Sequence, residues 1–310
     1  MRRRGSATKQ LSPTAVLARL IAAVLLCVGL GGAHAAMADV DRTATGLRDK
    51  YNASQDRLAH NQFKRAMFLD STETSESENG DIYALVNYPF AVVRVALVSP
   101  GNWCDILSLH LNTKYCKASV VEKQDVLNVS IGRKYDQPLE DAYPLLFAYR
   151  VAMQNPEYLQ VRLNADRGPM GTSNYHIVLE AVPLEGGQTF IHLSYAYAYG
   201  LAGRLAMQGY LATLGKGKVG FTIDGLQASE QPHYIGGNRG LIERNTMRYF
   251  LAIDVFLGAL SGSAQARFEQ RIHDWFVAVE RYPRQLHEME QGEYLAMKRK
   301  EYRRQREVRQ

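Results

Sequence analysis

The stretches Tyr175-His-Ile-Val-Leu-Glu-Ala-Val182 and Phe190-Ile-His-Leu-Ser-Tyr-Ala-Tyr-Ala-Tyr199, joined through Glu185-Gly186-Gly187-Gln188, decide the fold. Both are rich in β-branched and aromatic residues, and the two glycines between them accept the positive φ that a tight hairpin demands. The same two-residue period runs back towards the N-terminus. Leu127, Val129 and Ile131 alternate with Asn128 and Ser130; Tyr143, Leu145, Phe147, Tyr149 and Val151 share a face; Leu159, Val161 and Leu163 alternate with Gln160 and Arg162. Asp166-Arg-Gly-Pro-Met-Gly171 reads as a second hairpin turn. Residues 126–199 therefore predict an antiparallel meander of about five strands. An opening strand is expected near Ile82 and a further one around 117–123.

On both sides of the meander the apolar period becomes helical. Residues 39–61 place Leu47, Tyr51, Ser54 and Leu58 on one face, and the polar run 70–80 after them reads as a linker or exposed loop. Pro89 suits the first position of a helix over 90–98. Residues 201–214 read as helix despite Gly203 and Gly209, and 219–223 as a short strand. The segment 241–260 carries Met247, Phe250, Leu251, Ile253, Phe256, Leu257 and Leu260 on an apolar face, with Glu243, Arg244, Arg248 and Asp254 opposite. Phe268, Ile272, Trp275, Phe276 and Val279 repeat at helical spacing; Pro283 resets the chain before a last, polar helix.

The compartment is read from the other end. Arg2, Arg3, Arg4 and Lys9 precede an apolar stretch at 15–30 and the small-residue run Ala33-His34-Ala35-Ala36-Met37-Ala38. Order and size match a secretory signal peptide over 1–38, cleaved after Ala35 or Ala38. Export is thus expected, to the periplasm of a Gram-negative source or to the exterior. An uncleaved anchor is the rival, but Arg19 interrupts the stretch and leaves it under the roughly 20 residues a span needs. Lipidation of Cys27 is disfavoured by the bulky Leu26 before it.

Cleavage also removes five basic residues and no acid, so the net charge of +6 falls to +1. That excludes the broad basic footprint of a nucleic-acid binder. What positive charge remains is concentrated in the tail, where Lys298, Arg299, Lys300, Arg303, Arg304, Arg306 and Arg309 face only Glu301 and Glu307. Such a run reads as a solvated helix end, or as a peripheral contact with anionic lipid headgroups. Cys104 and Cys116 remain as an even pair in an oxidising compartment and are expected to form a disulfide. The rival is a metal site with His110 between them, in a spacing unlike the usual zinc patterns.

The order of elements carries a resemblance. A strand, a proline-started helix followed by Asn102-Trp103-Cys104, a long meander and an amphipathic helix resemble the START-like helix-grip superfamily over roughly 80–260. The stretch nearest to that pattern is Tyr83-Ala-Leu-Val-Asn-Tyr-Pro-Phe-Ala-Val-Val-Arg-Val-Ala-Leu-Val-Ser-Pro-Gly-Asn-Trp103. The resemblance implies an α+β fold in which a curved antiparallel sheet grips a long amphipathic helix, and a hydrophobic ligand held between them. The cysteine pair, the helix at 201, the strand before 241 and the helices beyond 263 depart from the minimal fold. The organisation expected is a signal peptide (1–38), an N-terminal helix and polar linker (39–79), the helix-grip domain (80–262) and a helical extension (263–310).

Alternation sets Tyr195, Tyr197 and Tyr199 with Ile191 and Leu193 on one face, and Phe190, His192, Ser194 and Ala196 on the other. With Trp103, Tyr149, Tyr175 and Phe250 these tyrosines form the expected wall of a cavity for a lipid-like or aromatic molecule. His110, Asn112 and Lys114 are a further polar group that could touch a ligand, and the Gly236-Gly237-Asn238-Arg239-Gly240 run reads as a turn feeding the helix. There is no His-x-His, no His-Glu-x-x-His, no nucleophile elbow and no phosphate loop after a parallel strand. The reading is an exported carrier without cofactor or metal. A cyclase or hydrolase of the same fold and a non-catalytic cell-envelope interaction protein are its alternatives.

Overall fold

A computed structural model describes residues 43–213, 215–226 and 231–307; the expected signal peptide and residues 308–310 lie outside the described residues. Eight strands form one sheet: β1 (Met67–Glu73), β2 (Ser77–Val86), β3 (Thr113–Val121), β4 (Gln124–Ile131), β5 (Tyr143–Gln154), β6 (Leu159–Arg167), β7 (Thr172–Pro183) and β8 (Thr189–Tyr199). Their order is β1-β2-β8-β7-β6-β5-β4-β3, every neighbouring pair antiparallel. Register shifts at Val151/Met153 and Ser173/His176 bend the long strands, as bulges do, and help curve the sheet.

The expected linker at 70–80 is instead a hairpin. β1 and the start of β2 pair residue for residue, and the Thr74 hydroxyl accepts the amide hydrogens of Glu76 and Ser77 in the turn. Hydropathy hides the hairpin end of these strands because inward side chains there, Ser71 and Glu78, are polar and find polar partners. Ser71 donates to Glu243 at 2.6 Å, and Tyr197 donates to Glu78 at 2.9 Å.

Two short helices, α1 (Ala44–Ala53) and α2 (Gln55–Ala59), take the place of the single helix expected at 39–61, of which 39–42 are outside the described residues. They cover the outer face of the sheet. Tyr51 packs on Phe190 with ring centroids 5.2 Å apart, Lys50 lies 4.8 Å over Tyr83, and Arg57 lies 4.0 Å over Phe68. Phe190, His192 and Ser194 are consequently as buried as the tyrosines behind them.

Between β2 and β3 come α3 (Phe90–Leu97) and α4 (Pro100–Leu107), which meet at 90°. Pro100 in its first turn starts α4, a helix the sequence reading lacks. The Trp103 indole donates to the Leu97 carbonyl at 2.8 Å, locking the corner. Cys104 and Cys116 are bonded with their Cα atoms 5.2 Å apart, tying α4 to β3. Both sulfurs are thereby consumed, which overturns the rival metal site with His110.

After β8 follow α5 (Leu201–Ala212), a small hairpin of β9 (Ile223–Leu226) and β10 (Pro232–Tyr234), and the long helix α6 (Gly237–Gly258). The glycine run 236–240 does start that helix. The strand expected at 219–223 begins only at Ile223, because the residues before it bond to helix side chains. Phe221 and Thr222 give their amide hydrogens to Glu243 at 2.6 and 2.9 Å, and Arg244 donates to the Val219 carbonyl.

α6 has no solvent side along most of its length. Of the residues read as a polar face, Glu243, Arg244 and Arg248 are fully buried and Asp254 is half-buried against Arg65, while Leu260, read as part of the apolar face, lies beyond the helix and is exposed. One flank meets β1 and β2 so closely that a Cβ on Gly80 would stand 2.4 Å from Thr246 Oγ1. The other is covered by α7 (Ala264–Val279) and α8 (Pro283–Leu286), and α9 (Gln291–Glu307) packs in turn on α7 and β3. Ser263 caps α7, accepting the Ala266 amide hydrogen. Ile272 and Trp275 are buried, the indole donating to the Arg248 carbonyl.

The tail therefore packs on the protein itself. Lys298 is buried, donating to the carbonyls of His110 and Thr113 and pairing with Glu301; Arg299 pairs with Glu269, Lys300 with Asp136, and Arg304 donates to the Gln137 carbonyl. Much of the basic run is thus occupied in holding α9 down. Among the described residues no single helix is long and apolar enough to cross a membrane.

Candidate functional site

Between the inner face of the sheet and α6 lies a cavity of about 200 Å³. Alternation along the strands supplies one wall: Val129 and Ile131 from β4, Leu145 and Phe147 from β5, Tyr175 from β7 and Tyr195 from β8. Leu241, Asn245 and Tyr249, spaced by four along α6, supply the facing wall. Met207 of α5 and the β6–β7 turn at Pro169 and Met170 complete the rim, Met170 being exposed. Leu107, His110, Asn112, Thr113 and Lys134 close the polar end.

The wall is continuous aromatic surface. Phe147 meets Tyr175 edge-on at 6.5 Å, Tyr175 lies 6.3 Å from Tyr195, Tyr195 lies 5.1 Å from Tyr249, and Tyr249 stacks on His110 at 5.0 Å. Burial pushes the Tyr175 phenol up to about 12 and those of Tyr195 and Tyr249 above their usual range. These hydroxyls stay protonated at any physiological pH, so the wall offers phenols and not phenolates.

His110 is the unusual member of the polar end, with 4% of its surface exposed. Its Nδ1 accepts the Asn112 amide hydrogen at 3.2 Å, which puts the ring proton on Nε2, and Nε2 has no hydrogen-bond partner among the described residues. Burial, then the charges of Arg248, Lys298, Lys134 and Lys114, hold the imidazole well below its usual pKa, so it is neutral. Lys134 pairs with Glu288, which also receives Arg248 at 2.8 Å and Lys218. Burial and the neighbouring Arg248 outweigh Glu288 and bring the Lys134 amine down to about 7.

Of the residues expected to form the wall, the structure brings Tyr175 and Tyr195 to this cavity. The rest stand elsewhere. Tyr149 and Trp103 both donate to the Leu97 carbonyl and seat the α3–α4 corner on the sheet. Tyr197 is turned to Glu78, and Tyr199 donates to the Thr74 carbonyl in the β1–β2 turn. Phe250 is buried with Arg65 5.1 Å over its ring. His110 and Asn112, singled out as polar candidates, do line the cavity, whereas Lys114 is buried against Glu301 and the Leu111 carbonyl. Lys134, Asn245 and Tyr249 had not been read as site residues. The four-residue spacing of Leu241, Asn245 and Tyr249 is the one signal that marks them as a shared face.

No family model matches the sequence, and no curated protein matches it. Among solved structures, truncated norcoclaurine synthase from Thalictrum flavum is similar with a TM-score of 0.32 at 12% identity, over 46% of this chain and 91% of that one. A conserved protein from Geobacillus kaustophilus gives 0.35 at 14%, over 58% and 95%, and the Zhui aromatase/cyclase from Streptomyces sp. R1128 gives 0.33 at 13%, over 62% and 92%. The arrangement itself defines the class. A sheet with its first long strand beside its last, two short helices between that strand and the next, and a long helix after the meander is a helix-grip fold. This chain is a helix-grip protein with an added N-terminal hairpin strand, a disulfide and three helices behind the gripped one.

Proposed function

We propose that the protein binds a small amphipathic molecule in the cavity between sheet and α6, and carries it without turnover. The observation behind this reading is a cavity with a continuous aromatic wall at one side and hydrogen-bonding groups at one end, which orients a ligand as well as holding it. Its size narrows the earlier expectation of a lipid. A void of about 150 Å³ accommodates one benzene ring, so about 200 Å³ suits a single ring with a substituent and is too little for an acyl chain. Export through residues 1–38, to the periplasm or beyond, belongs to the same proposal.

Native mass spectrometry and organic extraction of the mature protein test it. A stoichiometric molecule of one-ring size, lost on denaturation, is expected, together with an N-terminus near Asp39. Recovery of protein that carries nothing and gives no response to one-ring probes overturns carriage. An acid–base enzyme of the same fold is the second reading, supported by the imidazole and the amine at the polar end; consumption of a bound ligand would establish it.

A further inference from the structure

We propose that the cavity selects a one-ring carboxylate, its ring among Phe147, Tyr175, Tyr195 and Tyr249 and its carboxylate accepting the Nε2 hydrogen of His110. This rests on the reading of the cavity as a ligand site and adds the ligand's charge to it.

Three observations carry the inference. First, the buried Nε2 donor of His110 has no acceptor among the described residues, and a buried donor left so is costly. Its other nitrogen is fixed by Asn112, so the ring cannot turn its proton away without losing that bond. An acceptor is what the site lacks. Second, the described lining contains no aspartate or glutamate, but does contain Lys134. Third, the charged side chains acting most on His110, namely Arg248, Lys298, Lys134 and Lys114, are all cations. Their carboxylate partners, Glu288 and Glu301, do not line the cavity. A ligand oxygen at Nε2 thus meets a donor and a positive field in a site of low dielectric, where both act more strongly than in water. A neutral isostere gains only the hydrogen bond.

The test is a titration of the mature protein at pH 6 with benzoate and with benzamide, read by two-dimensional NMR at Tyr195 and Tyr249. Benzoate is expected to bind at least tenfold more tightly. His110→Phe, which keeps an aromatic ring on Tyr249 but removes the donor, should lower benzoate affinity about tenfold and benzamide affinity by clearly less. His110→Gln, which restores an N–H, should recover part of the loss. Should His110→Phe fail to fold, His110→Gln and the pH profile below carry the test.

A second readout uses Lys134, which is faced by Arg248 of α6, by Glu288 between α8 and α9, by Lys218 before β9, and by the neutral His110. Benzoate affinity should fall as the pH rises through about 7 and the amine loses its charge, and Lys134→Met should flatten that profile. Equal binding of benzoate and benzamide overturns the anion inference while leaving the ligand cavity standing. Binding of neither overturns both. An affinity for benzoate that is indifferent to His110→Phe and to pH overturns the role given to the polar end.

Discussion

The hydroxyl of Tyr197 donates a hydrogen bond to Glu78 at 2.9 Å on the helix-facing side of the sheet, and both residues are buried. Burial raises the Glu78 carboxyl to about 7, even though the Tyr197 bond pulls the other way. The folded protein therefore keeps a proton that the unfolded chain has released above about 4.5. Stability contributed by this group is present at acid pH and is lost as the pH rises from about 4.5 through 7. Glu78→Gln, which mimics the protonated form, is expected to be more stable than wild type at pH 8, by up to about 3 kcal/mol, and no different at pH 4. Urea midpoints at the two pH values check this. A variant weaker at pH 8 would show that the ionised carboxylate is the stabilising form.

His192 lies under α1 on the opposite face and bridges two carboxylates, Glu180 at 2.7 Å and Asp81 at 2.8 Å. Burial lowers its pKa, but the bonds to Asp81 and Glu180 win and leave it raised, while the same bonds overcome burial and lower both carboxylates. The imidazolium contribution is complete below about 6.5 and is lost as the pH rises through the raised value; the carboxylate contributions are lost as the pH falls. His192→Phe keeps the stack on Tyr83 but removes the cation from between two acids, leaving buried Glu180 to Tyr158 and Gln160 and half-buried Asp81 to Asn79. A loss of about 3–5 kcal/mol is expected at pH 6, measured by denaturant unfolding. A loss under 1 kcal/mol would mean that the two acids find water in the folded state.

The Cys104–Cys116 bond closes a short loop between α4 and β3. A loop of this length constrains the unfolded chain by roughly 3 kcal/mol. Cys104→Ser/Cys116→Ser and the reduced wild type should both show that loss, and should do so equally. If only reduction destabilises, the reductant acts somewhere other than this bond.

Val129 lines the cavity, whereas Val161 is buried in filled core. Forcing extra atoms into a packed interior costs typically 1–3 kcal/mol. Val161→Phe is expected to pay that in full. Val129→Phe should cost less than about 1 kcal/mol and at the same time abolish uptake of a one-ring probe. Thermal melts and probe titrations of the two variants distinguish a true void from a plane of soft packing, in which case both variants suffer alike.

The meander was legible because every strand from β4 to β8 alternates within itself, and each needs only its own residues to be recognised. The β1–β2 hairpin was not, since Ser71 and Glu78 point inwards against partners, Glu243 and Tyr197, that lie more than a hundred residues downstream. The same reason hid the buried state of Arg248, whose acid, Glu288, sits 40 residues further along the chain. At the cavity, alternation placed Tyr197 and Tyr199 beside Tyr195 correctly. It could not show that Glu78 and the Thr74 carbonyl occupy their hydroxyls, or that Tyr249 is the helix residue standing over the gap. Which turn of α6 faces the void is decided by packing against β1, β2 and α7, and no local period encodes it.

The enclosure of α6 means that the chain cannot be pared down to a minimal core. A fragment ending at residue 262 would retain every strand and the gripped helix, yet it would lay bare Arg248, the Leu109 carbonyl that Tyr294 caps and the carbonyls that Lys298 serves. The last forty-odd residues act as the back plate of the vessel, and its shape is set from behind as much as from within.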